Sequence, residues 1–150
     1  MIRFLDLHSQ YLSIKTDIDA AIAGIIRESA FVGGAAVESF ESSFAAFQQA
    51  GHCVAVGNGT DAIEIIIEAL GLPGGSEVIV PANSFIASSE AVTRSGCRVV
   101  FADVDPDTYL LDPGDVRRRI TARTSAIMAV HLYGQPADME GLRGIAAGHG

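Results

Sequence analysis

From His52 onward, short apolar runs alternate with stretches of helical periodicity, and no other feature of the chain narrows its fold as much. The apolar runs are His52 to Val56, Glu77 to Val80, Arg98 to Ala102 and Ser125 to Val130. Each is too short for a typical helix and rich in strand-forming residues, so each is expected to be a strand. Thr60 to Leu70, Ser84 to Arg94, Pro113 to Ile120 and Asp138 to about Ala147 read as helices. Strands alternating with helices require crossover connections, which make a parallel sheet with helices on its faces. Near-continuous apolar strands suit such a sheet because both of its faces are covered.

Ahead of this repeating part, Leu12, Ile14, Ile18, Ala21, Ile22, Ile25 and Ile26 recur at near-helical spacing. They predict an amphipathic helix from Tyr11 to about Ser29. Phe31-Val32-Gly33-Gly34 breaks the pattern. A second helix is expected from about Ala36 to Gln49, with Val37, Phe40, Phe44 and Phe47 as a stripe facing a core. Residues 1–51 thus form a helical lead-in and 52–150 the β-α repeating part, with no linker or internal repeat. Lys15 is the only lysine, and its spacing to Asp19 suits a surface ion pair.

The composition excludes several classes. A net charge of -8 makes nucleic acid a poor partner, because phosphate neutralisation needs Lys and Arg. The one basic run, Arg117-Arg118-Arg119, reads as the solvated face of a short helix. No apolar window is long enough to span a membrane, and the N-terminus has no signal-peptide pattern, so the expected location is the cytoplasm. Cys53 and Cys97 are expected to be core thiols at the starts of strands. The four histidines show no metal-ligand spacing.

Ligands of open α/β sheets bind at the carboxyl ends of the strands. The residues there are Gly57-Asn58-Gly59-Thr60, Pro81-Ala82-Asn83-Ser84-Phe85, Asp103-Val104-Asp105 and His131-Leu132-Tyr133-Gly134-Gln135. The first segment joins a strand to a helix N-terminus, where unpaired backbone N–H groups and the helix dipole favour a phosphate. Phe85 is placed to lie flat against a ring. Each loop also has a simpler reading. Asn83 and Ser84 cap a helix, Asp103 and Asp105 shape a turn, and His131 is a hydrogen-bonded, partly buried side chain. Gly57-x-Gly59-x-x-Ala62 matches a dinucleotide fingerprint, but no acid closes the second strand to hold a ribose; Glu77 opens that strand, at the wrong edge. Asp61, Glu64 and Glu68 form one helical row, expected to face solvent.

Four segments together resemble the DegT/DnrJ/EryC1/StrS family of pyridoxal-phosphate-dependent aminotransferases acting on nucleotide-linked keto sugars. They are Val56-Gly57-Asn58-Gly59-Thr60-Asp61-Ala62, Glu77 to Ser88, Val100 to Tyr109, and His131 to Met139. The resemblance implies the N-terminal part of the large, cofactor-binding domain of a fold-type I aminotransferase, preceded by two helices. It implies that Asn58, Gly59 and Thr60 hold the phosphate of pyridoxal 5'-phosphate and that Phe85 stacks on the pyridine ring. It also implies a homodimer in full length, an amino-acid donor such as glutamate, and a C-terminal small domain that these 150 residues lack. The pyridine-nitrogen Asp and the Schiff-base Lys would both lie beyond Gly150, which leaves no catalytic residue in this chain. A sugar dehydratase with His in place of that Lys, a non-catalytic binding module and an NAD-binding domain are the alternatives.

Overall fold

The computed structural model describes residues 4–149. The chain forms two compact units, the first extending to Ala55 and the second beginning at Val56.

The first unit holds α1 (Leu7–Glu28) and α2 (Ala35–Phe47). Asp6 caps α1 by accepting from the Ser9 N–H. Ser29 closes the helix in the left-handed region and returns its N–H to Ile25 and Ile26. Gly33 and Gly34, both at positive φ, turn the chain into α2. The expected burial of the phenylalanine stripe is not found. Phe40 and Phe44 stack at 5.4 Å between ring centroids, yet Phe40, Phe44 and Phe47 all remain exposed, and Ala45 is the only buried residue of α2. Periodicity reveals which residues share a helix face, but a second layer is needed to cover that face.

The second unit holds α3 (Gly59–Ala69), β1 (Glu77–Pro81), α4 (Ala87–Arg94), β2 (Arg98–Ala102), α5 (Pro113–Arg119), β3 (Thr124–Ile127) and α6 (Met139–Ala147). A short 3-10 turn covers Leu132–Gly134. The strands are parallel in the order β2-β1-β3. Side-chain alternation on β1 divides the core. Val78 and Val80 pack with Ile67 and Val92, under α3 and α4. Ile79 packs on the opposite face with Leu111, Val116, Leu142 and Ile145, under α5 and α6.

Three strands form among the described residues, where the sequence predicts four. Residues 52–56 form no strand, and Val54 is 78% exposed. Both sides of β1 are taken by β2 and β3, and β propensity without a neighbouring ladder does not make a strand. The expectation of a buried strand start at Cys53 fails for the same reason. Cys53 and Cys97 are both free and half-buried, and Cys97 packs against the α3–α4 core.

At the amino edge of the sheet, Glu77 is buried. Its carboxylate accepts from Thr121 Oγ1 at 2.6 Å and from Arg123 Nη2 at 2.7 Å, with Arg98 Nη1 at 3.8 Å. The Thr121 hydroxyl and the Arg123 guanidinium hold this carboxyl below the ordinary glutamate range, against the opposing pull of burial. Here the pairing of β1 with β3 slips by one residue. Ser125, at the slip, donates from its hydroxyl to Ser76 Oγ at 2.9 Å.

Candidate active site

The three strands are parallel, so their carboxyl ends share one edge. The chain leaves β1 there, through residues 82–86, to start α4.

The α3 N-terminus is built around Asn58, whose backbone is extended. Asn58 Oδ1 accepts from the Asp61 N–H at 3.0 Å, and Asn58 Nδ2 donates to Asp61 Oδ2 at 2.9 Å. This reciprocal cap satisfies one of the orphan donors of the first turn. The N–H groups of Gly59 and Thr60, the two residues before Asp61, have no acceptor among the described residues. A Cβ built on Gly59 meets no atom within 4 Å, so that side of the turn is open to an incoming group. Thr60 is half-buried beside it. The local arrangement presents two backbone donors and a hydroxyl at the positive end of a helix, which suits a phosphate. The side chain of Asn58 is already engaged inside the turn.

Of the acidic row on α3, Glu68 is exposed as expected, but Asp61 and Glu64 are partly covered. Arg94, in the last turn of α4, reaches back along the row. Its Nε lies 2.8 Å from Glu64 Oε2, and Nη2 lies 3.7 Å from Asp61 Oδ1. The Glu64 side chain is only 17% exposed and that of Asp61 34%. Helical spacing placed the three acids on one face, but only the packing of α3 against α4 reveals the cation.

Phe85 lies just before α4, not in its first turn, and is 76% exposed at the carboxyl edge. Asn83 and Ser84 do not cap α4. The helix starts after Ile86 and has no side-chain cap. Asn83 Nδ2 donates instead to the carbonyl of Tyr109 at 3.0 Å, joining the loop after β1 to the loop after β2. Tyr109 is held in the left-handed region with φ 61, and nothing in the sequence signalled this link.

In the β2 loop the simpler reading is correct. Asp105 accepts from the N–H groups of Asp107 and Thr108 and from the Thr108 hydroxyl. These bonds, led by Thr108, hold its carboxyl below the usual range. Buried Asp115 on α5 accepts from the Asp103 N–H at 2.7 Å and from Arg118 and Arg119, so it anchors the end of β2. The arginine run is exposed, but two of its members hold this buried carboxylate rather than standing free in solvent. His131 Nδ1 accepts from the Ala137 N–H at 3.0 Å; the ring is hydrogen-bonded as expected, but exposed.

Lys15 lies in the first unit. Its ammonium pairs with Asp19 and donates to the Tyr11 hydroxyl at 2.8 Å. The Asp19 and Tyr11 contacts push its pKa above the ordinary lysine value.

The fold is that of an α/β chain with a parallel sheet flanked by helices. The sequence profile of the DegT/DnrJ/EryC1/StrS aminotransferase family matches residues 12–150. The chain belongs to that family. It is 42% identical over 147 residues to dTDP-3-amino-3,4,6-trideoxy-alpha-D-glucose transaminase of Streptomyces venezuelae, covering 98% of this chain and 39% of that protein. Among solved structures it matches S. venezuelae DesV in complex with a ketimine intermediate, with a TM-score of 0.92 and 41% identity, over 99% of this chain and 40% of that one. It also matches NtdA of Bacillus subtilis with bound cofactor PMP, with a TM-score of 0.86 and 37% identity, over 91% of this chain and 32% of the other. The chain thus spans about two fifths or less of the length of these relatives.

Proposed function

We propose that this chain forms part of the cofactor-binding domain of a pyridoxal-phosphate-dependent aminotransferase that acts on a nucleotide-linked keto sugar. The observation that carries the reading is the Gly59–Thr60 turn. It has two unengaged backbone donors at a helix N-terminus, in a chain of this family that also exposes Phe85. In this reading Gly59 and Thr60 donate to the cofactor phosphate, and Asn58 shapes the turn through its cap. Phe85 covers one face of the pyridine ring. When bound, the cofactor supplies an electron sink for moving an amino group. The residues of this chain hold and orient it, while the Asp and Lys of the chemistry belong to a further part of a homodimeric enzyme. The transaminase among the relatives supports a nucleotide-linked sugar as acceptor, and glutamate is the proposed donor.

The test is a fluorescence titration with pyridoxamine 5'-phosphate, run in parallel with NAD. Saturable binding of the first and none of the second is expected. Phe85→Ala should weaken pyridoxamine phosphate binding while leaving thermal stability within about 0.5 kcal/mol, because the ring is exposed. Equal affinity in the parent and the variant would remove the stacking role. Treatment with pyridoxal phosphate and then borohydride should leave no stoichiometric adduct on Lys15.

A further inference from the structure

Asp61 poses a problem for a phosphate seat. Its carboxylate lies against the turn, and a Cβ on Gly57 would stand only 3.0 Å from Asp61 Oδ2. A negative charge in the first turn suits the helix dipole but repels an anion seated on the same N–H groups. Two contacts oppose that conflict. Asn58 Nδ2 binds Asp61 Oδ2, and the Arg94 guanidinium stands beside Asp61 Oδ1. Arg94 is fixed in turn by its 2.8 Å contact with Glu64. Glu68, the remaining acid of the row, lines the same groove as Gly57, Asp61, Glu64 and Arg94.

From this geometry we propose that Arg94 and Asp61 are positioning residues of the phosphate turn. Arg94 holds and neutralises the Asp61 carboxylate on the Asn58 side, which keeps the cap closed and the Gly59 and Thr60 N–H groups receptive to an anion. The inference rests on the phosphate reading of this turn. It adds a residue from α4, the helix that follows Phe85, to the control of a site on α3.

The test compares the parent with Arg94→Gln, Asp61→Asn and the double variant. Asp61→Asn keeps an acceptor for Asn58 Nδ2 and removes the charge. Both side chains are partly exposed, and a thermal melt confirms that each variant folds. The first readout needs no ligand. Hydrogen exchange at the Asp61 amide, protected by Asn58 Oδ1, should quicken in Arg94→Gln and much less when Asp61 is already Asn. The second is titration with pyridoxamine 5'-phosphate, with inorganic phosphate as a second probe. Arg94→Gln should weaken binding about tenfold in the parent and less than about twofold in the Asp61→Asn background, the scale expected of coupled neighbours. Unchanged exchange at Asp61, or an equal loss of affinity in both backgrounds, overturns the clamp. Coupled exchange with no binding of either probe to the parent leaves the clamp standing and overturns the phosphate reading.

Discussion

Single carboxylates set the local order of the second unit, and each is explained by its donors. Glu77 is the clearest case, buried at the amino edge with Thr121 and Arg123 donating to its ionised form. Because its folded pKa is depressed, its contribution is fully present above the unfolded glutamate value of about 4.3 and is lost as pH falls through the folded value. Thermal melts between about pH 7 and about pH 3 should show the parent losing stability more steeply on acidification than Glu77→Gln. The variant should be the less stable protein near neutrality, with the curves converging at low pH. Parallel curves would mean that Glu77 does not drive the acid response. Read along the chain, Glu77 was simply the acid that opens a strand. Its partners lie more than forty residues away, beyond the reach of any local pattern.

At the scale of elements, boundaries follow caps where the cap is local. Asp112 accepts from the N–H groups of Gly114 and Asp115 and starts α5 with Pro113 in its first turn. Asp112→Ala should destabilise the chain by about 1 kcal/mol, measured by urea unfolding with an unchanged denaturant slope. A change under a few tenths would show that solvent replaces the cap. Helix α4 shows the opposite situation. The Asn-Ser pair suggested a helix starting at Ser84, but Asn83 is committed to Tyr109 and the helix begins at Ala87. A capping residue with a better distant partner does not cap.

For the whole molecule, the segment joining the two units is the feature with a direct consequence. Residues 52–56 lie in no helix or strand, and the Ala55 N–H is held by Glu41 Oε1 at 2.7 Å. Backbone that opens at little cost is cut first. Limited digestion with elastase should therefore cleave near Val54 and Ala55 before it cuts β1, β2 or β3. Mass spectrometry should find fragments that meet close to the boundary between the units. First cuts inside the sheet would show that this segment is protected. Among the described residues no helix is long and apolar enough to cross a membrane.

Local order along the chain was enough to predict most of the architecture. The apolar runs at 77–80 and 98–102 became parallel strands, the run at 125–130 did so only as far as Ile127, and the helices between them formed within a few residues of expectation. The turn at Asn58-Gly59-Thr60 was legible for the same reason, since a helix N-terminus is specified by adjacent residues. Tertiary structure alone decided what covers a face and what answers a charge. It left residues 52–56 without a ladder and the α2 phenylalanines without a cover. It also placed Arg94 beside Asp61 and Arg123 on Glu77. Secondary structure depends on neighbours in sequence, whereas a strand's partner, a buried face and a counter-ion depend on neighbours in space.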